Sequence, residues 1–96
     1  MAKGYLIAQV TVTNSDAYAN YAKVAGDLLK QYGARVVVKP ETALIKEGNP
    51  KARTVIFEFA SFAKAKEFWD SPEYAEAKAL RAGAADGDFI LIEGTD

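Results

Sequence analysis

The chain has 96 residues, 12 Lys+Arg against 13 Asp+Glu for a formal charge of −1, half of its residues hydrophobic and 11% aromatic, and neither Cys nor His. This inventory leaves no disulfide framework or thiol chemistry, removes Ser-His-Asp triads and the commonest zinc and haem ligand, and lacks the basic block that marks a nucleic-acid binder. Any catalysis has to use carboxylates, Tyr, Lys, Arg, water or a bound cofactor, and no motif calls for a particular cofactor or metal, so none is expected.

The length fits one domain spanning residues 1–96. Met1-Ala2-Lys3-Gly4 leads straight into a strand-like segment without the apolar stretch of a signal peptide. No apolar run approaches the ~20 residues of a membrane span. The expected location is therefore the cytoplasm, with no membrane partner.

Tyr5–Val12 alternates as a strand does, with Leu6, Ala8, Val10 and Val12 on one face and Tyr5, Ile7, Gln9 and Thr11 on the other. Asn14-Ser15-Asp16 offers N-cap side chains. Tyr18, Tyr21, Ala22, Ala25, Leu28, Leu29 and Tyr32 then recur at spacings of three and four, which predicts a helix with one apolar face. Gly33 supplies its left-handed stop. Gly26 lies inside this helix at a cost of up to ~1 kcal/mol against Ala, and close packing is one reason to keep it.

The β-branched run Ala34–Lys39 predicts a second strand, interrupted at Pro40 and resumed over Ala43–Glu47. Glu47-Gly48-Asn49-Pro50 reads as a turn. Arg53–Ala60 predicts a third strand, with Val55, Phe57 and Phe59 on one face and Thr54, Ile56 and Glu58 on the other. Ser61 caps a short helix that turns Phe62, Ala65, Phe68 and Trp69 inward. Ser71-Pro72-Glu73 restarts the helix, with Tyr74, Ala77, Leu80 and Arg81 in line. Asp86 and Asp88 flank Gly87 in what reads as a turn rather than a metal site, and Asp88–Glu93 forms the last strand.

The order βαββαβ predicts an α+β sandwich of the ferredoxin-like kind, with four antiparallel strands, the first and third central, and the helices on one face. Helices can cover only one face. The other carries Tyr5, Ile7, Ile56 and two apolar residues of the last strand, an exposed patch of roughly several hundred Å² that usually marks an interface. A homodimer through this face is expected.

Gly4-Tyr5-x-Ile7-Ala8-x-Val10, Tyr18-x-x-Tyr21, Tyr32-Gly33-x-Arg35, Glu47-Gly48, Arg53-x-Val55-Ile56-Phe57-Glu58-Phe59, Ser71-Pro72-Glu73-Tyr74, Arg81 and Glu93-Gly94 follow one another in an order and spacing that resembles the domain-of-unknown-function family numbered thirteen-thirty. That family sits within the dimeric α/β-barrel superfamily. The resemblance covers nearly the whole chain and implies a ferredoxin-like protomer whose sheet closes against that of a second copy. The superfamily's branches include cofactor-independent monooxygenases, isomerase-like enzymes, haem enzymes and ligand-sensing domains; the family itself brings no established activity. Pro40-Glu41 replaces a Gly pair frequent among members, which alters the bulge of the second strand.

Glu58 is the candidate catalytic residue. A partly buried carboxylate there would have a raised pKa and could serve as a general acid or base, with Arg53 and Arg81 as possible partners. Tyr18, Tyr21, Trp69, Tyr74, Arg81 and Arg53 are the ligand-binding candidates. The aromatic set suits a flat organic molecule in the place where the resemblance implies a small-molecule pocket, and Arg81 suits its carboxylate. Two functional readings follow: a module that binds a small, partly apolar molecule, or a cofactor-independent enzyme on an aromatic or enolisable substrate. A third is an assembly protein without a ligand.

Overall fold

The computed structural model describes residues 2–95. Strand β1 (Gly4–Val12) leads to helix α1 (Ser15–Gln31), strand β2 (Arg35–Val36), strand β3 (Arg53–Phe59), helices α2 (Phe62–Asp70) and α3 (Pro72–Ala79), and strand β4 (Ala85–Glu93). The sheet order is β2-β3-β1-β4, antiparallel throughout. The first and third strands are central, as the element order predicts.

Register assigns the faces. Leu6 lies between Phe57 and Leu91, Ala8 between Val55 and Phe89, and Val10 between Arg53 and Gly87; this set shares the side on which the buried helix residues lie. Leu6, Phe59, Ala65, Phe68 and Tyr74 form the centre of the core with Tyr21, Ala25, Leu28 and Leu29 of α1. The opposite face carries Tyr5 between Glu58 and Ile92, and Ile7 between Ile56 and Ile90. Ile90 and Ile92 are 54% and 50% exposed, so the second face is apolar and uncovered in the single chain.

Local chemistry sets the helix ends. The Asn14 side chain accepts from the Ala17 N–H at 3.2 Å. Gly33 has φ +73°, and Ala34 N–H donates to Leu29 O while Gly33 N–H donates to Lys30 O, the paired closure of a Schellman stop. Ser71 sits between α2 and α3. Its hydroxyl donates to Phe68 O at 2.8 Å and accepts from Tyr74 N–H at 3.1 Å, so one buried side chain ends one helix and caps the next.

Four local expectations are corrected. β2 ends at Val36, and a 3₁₀ turn occupies Pro40–Thr42. The Ala43–Glu47 stretch forms no strand, and Leu44 stands 82% exposed. An edge strand has only one partner, and Pro at the first position of the turn withdraws a donor. β4 begins at Ala85, so Asp86 and Asp88 are strand residues opposite Thr11 and Gln9. α3 ends at Ala79, which leaves Leu80 largely exposed. Gly26 is not a close-packing glycine: a Cβ placed on it meets no atom within 4 Å.

Candidate functional site

α1 rests on α3 and packs Tyr21, Ala25, Leu28 and Leu29 into the core with Leu6 and Phe59, and beside these contacts a cavity of about 370 Å³ lies between it and the sheet. Tyr18, Tyr21, Ala22 and Gly26 of α1 form its roof, and Ala8, Val55, Phe57 and Phe89 its floor. Arg53 and the Pro40-Glu41 turn border it at the β2–β3 side. The size falls in the range of small-molecule sites, and the lining matches their usual makeup: apolar and aromatic walls with a few polar groups. A broader groove of about 890 Å³ lies beside Ser61–Ala63, Lys66, Glu67, Asp70 and Glu93. Its charged side chains are exposed, and its lining is the more polar of the two.

The cavity brings together some of the predicted residues and separates others. Tyr18, Tyr21 and Arg53 line it. Tyr74 is fully buried behind it, its hydroxyl 2.8 Å from that of Tyr21. Trp69 packs on Tyr74 and Phe89 at centroid distances of 4.9 and 5.6 Å, and it does not line the cavity. The guanidinium of Arg81 lies 4.2 Å from the Phe89 centroid and 5.3 Å from that of Tyr21, one layer behind the wall those two rings form. Helical periodicity gave the inward direction of Trp69 and Tyr74. It could not show that Tyr74 lies in the core behind the cavity and that Trp69 packs against it there.

Electrostatics follow from burial. The Tyr21 phenol is pushed far above its ordinary pKa, first by burial and then by Tyr74. Burial also raises Tyr18, against the pull of Arg53 and Arg81. Burial opposes the charge of Arg81, but the Tyr74 and Tyr21 hydroxyls outweigh it, and its pKa lies above the usual guanidinium value.

Glu58 occupies the other side of the sheet, as the strand alternation predicts, and is not among the cavity-lining residues. It accepts from Arg35 Nε at 3.0 Å and from the Tyr5 hydroxyl at 3.1 Å. The expected raised pKa is corrected. The Arg35 hydrogen bond holds the carboxyl below its ordinary value, with Tyr5 adding to it against partial desolvation. Neither Arg53 nor Arg81 pairs with it. Arg35, which took no part in the predicted site, is the partner. The signal that could have found it is register: on an adjacent antiparallel strand Arg35 lies directly opposite Glu58.

The residues that sequence reasoning missed are the roof and the mouth, Ala22, Gly26, Pro40 and Glu41. Small side chains on a helix carry no periodic signal of a void beneath them, and the turn at Pro40 replaces a predicted strand. Among the described residues, no three side chains of the metal-ligating types converge, and no helix is long and apolar enough to cross a membrane.

A family profile described as "Domain of unknown function (DUF1330)" matches residues 3–95. Among solved structures, a protein of unknown function from Rhodopseudomonas palustris is 23% identical, with a TM-score of 0.77 over 99% of this chain and 84% of that one. A cofactor-independent oxygenase from Streptomyces nogalater is 10% identical, with a TM-score of 0.63 over 98% and 94%. A dimeric protein of unknown function and ferredoxin-like fold from Bacteroides fragilis is 10% identical, with a TM-score of 0.61 over 95% of each chain. At these identities the likeness is one of fold. No protein of curated function matches.

Proposed function

The chain belongs to the DUF1330 domain-of-unknown-function family, and from that premise and the geometry of its cavity we propose that it is a homodimeric module that binds a small, partly apolar organic molecule between α1 and the sheet. The observation that carries this reading is the cavity left between α1 and the sheet. A helix with Tyr, Leu and Ala on its inner face would normally close onto a sheet bearing Ala8, Val55 and Phe57, yet Gly26 faces open space above them. Protein interiors pack without voids of this size, and a wall of aromatics with polar tips suits an organic ligand.

A metabolite screen by thermal shift tests the reading. A ligand present at 100 times its Kd adds about 2.7 kcal/mol, which for a domain this small raises Tm by roughly 10–20 °C. Gly26→Leu fills the open space beneath the helix and should abolish that shift while the unliganded protein melts no lower than wild type. A Gly26→Leu chain that still responds to the same compound would place binding elsewhere and remove the proposal.

The enzyme reading loses its proposed base, because Glu58 is separated from the cavity by the sheet and ion-paired. The tyrosine phenols of the cavity are held neutral, which suits hydrogen bonding to a ligand better than proton abstraction. Dimerisation is supported by the apolar second face and by the dimeric state of the Bacteroides fragilis protein with the same fold.

A further inference from the structure

Among the described residues, the two guanidinium groups at the cavity join no ion pair. Arg53 is paired in register with Val10, near the end of β1 that leads into α1, and it lines the cavity with Tyr18. Arg81, from the turn after α3, covers the rings of Tyr21 and Phe89 from behind. Both bear on the Tyr18 hydroxyl, each drawing its pKa down against burial. Among the described residues, neither arginine has a carboxylate within 4.0 Å; the three ion pairs there are Arg35–Glu58, Lys51–Asp88 and Lys64–Glu67. The Arg81 Nε is buried without a hydrogen-bond partner. The one acid on the cavity wall, Glu41, stands exposed on the Pro40–Thr42 turn and joins no ion pair. Two guanidinium groups outside any ion pair and a phenol therefore stand at an apolar cavity, with the exposed Glu41 the one carboxylate on its wall.

We infer that the cavity's ligand is an organic anion, a carboxylate on a flat apolar body. Arg53 and the Tyr18 hydroxyl meet the carboxylate, Arg81 supplies a second positive charge from behind Tyr21 and Phe89, and the ring system lies along Val55 and Phe57. This rests on the cavity being a ligand site. Arg53 is the residue that distinguishes a carboxylate from a neutral molecule of the same shape, since a charge-assisted bond from a guanidinium needs an anionic acceptor to reach full strength.

The test compares 2-naphthoate with its neutral analogue 2-naphthalenemethanol by calorimetric titration, with amide chemical shifts as the locator. Wild type should bind the naphthoate about 10- to 100-fold more tightly, the weight of one charge-assisted hydrogen bond, with shifts centred on Tyr18, Ala22, Gly26 and Val55. Arg53→Gln, a change at an exposed side chain that leaves the core intact, should cancel the preference without weakening the alcohol. Equal binding of both compounds to wild type, or a preference that survives in Arg53→Gln, overturns the anion inference and leaves the cavity reading standing. Failure of both compounds to perturb the cavity amides removes the two together.

Discussion

Tyr21 and Tyr74 share one hydrogen bond at 2.8 Å inside the core, and each hydroxyl is the other's answer to burial. Removing one leaves the other a buried polar group short of a partner, so Tyr21→Phe should destabilise by about 1–3 kcal/mol, measured by urea unfolding at neutral pH. The pH dependence has a definite sign. Tyr21 titrates higher folded than unfolded, so its contribution is complete below the unfolded value near 10 and fades as pH rises beyond it. The stability gap between wild type and Tyr21→Phe should therefore narrow above pH 10; a gap that widens there would contradict the assignment. Glu58 behaves in the opposite sense. Its folded pKa lies below the ordinary 4.5, so its pairing with Arg35 contributes above that value and is lost as pH falls through the folded pKa. Glu58→Gln should flatten the acid limb of the stability curve and leave the neutral plateau nearly unchanged, as the exposure of Arg35 implies for a pair near the surface.

At the scale of elements, what could be read from the sequence depended on how many neighbours an element has. β1 alternates cleanly because both of its edges are paired and one of its faces is buried, so Leu6, Ala8 and Val10 were legible as core. The Ser71 hinge was legible because N-cap, Pro and Glu all point to the same helix start. β2 was not. Three consecutive valines favour a strand anywhere, but at the sheet edge Arg35 and Val36 pair in register and Val37 N–H adds one bond to Ile56 O, and the turn at Pro40 decides the rest. The cavity was half legible: residue type nominated Tyr18, Tyr21 and Arg53, whereas a gap between helix and sheet is a tertiary property that no spacing encodes. Glycine roles also needed the structure. A Cβ on Gly4 would fall 2.5 Å from Ser61 O and 2.6 Å from Phe62 Cα, where backbone cannot yield as a side chain can. Gly4→Ala should lower stability by roughly 1–3 kcal/mol through overpacking, whereas Gly26→Ala, with nothing to strike, should raise it by ~0.5–1 kcal/mol through helix propensity. Chemical denaturation of the two variants side by side checks the contrast; equal effects would refute it.

At the scale of the whole molecule, the helices shelter one face of the sheet and leave Ile7, Ile56, Ile90 and Ile92 on the other, with the Tyr5–Glu58–Arg35 group beside them. In the proposed dimer a second copy would meet the same mix of isoleucine and paired charge that it presents, as a two-fold contact requires. Sedimentation equilibrium at micromolar concentration should give twice the mass of the 10.4 kDa chain, and Ile7→Asp with Ile90→Asp should give single chains that keep their helical circular dichroism. Wild type sedimenting as a single chain would remove the dimer from the proposal. The cavity lies on the helix side of the sheet, away from the isoleucine face, so on the proposed reading the separated chains still hold ligand.

Ala22 and Gly26 roof the void without a large side chain packed into it, so residues of different bulk can be exchanged there with little disturbance to the rest of the core. The dimensions of the cavity can thereby drift on a different evolutionary clock from foldability. Lineages sharing this scaffold are free to diverge in what they accept by single replacements along one turn of α1, while the aromatic stack around Tyr74 stays as it is.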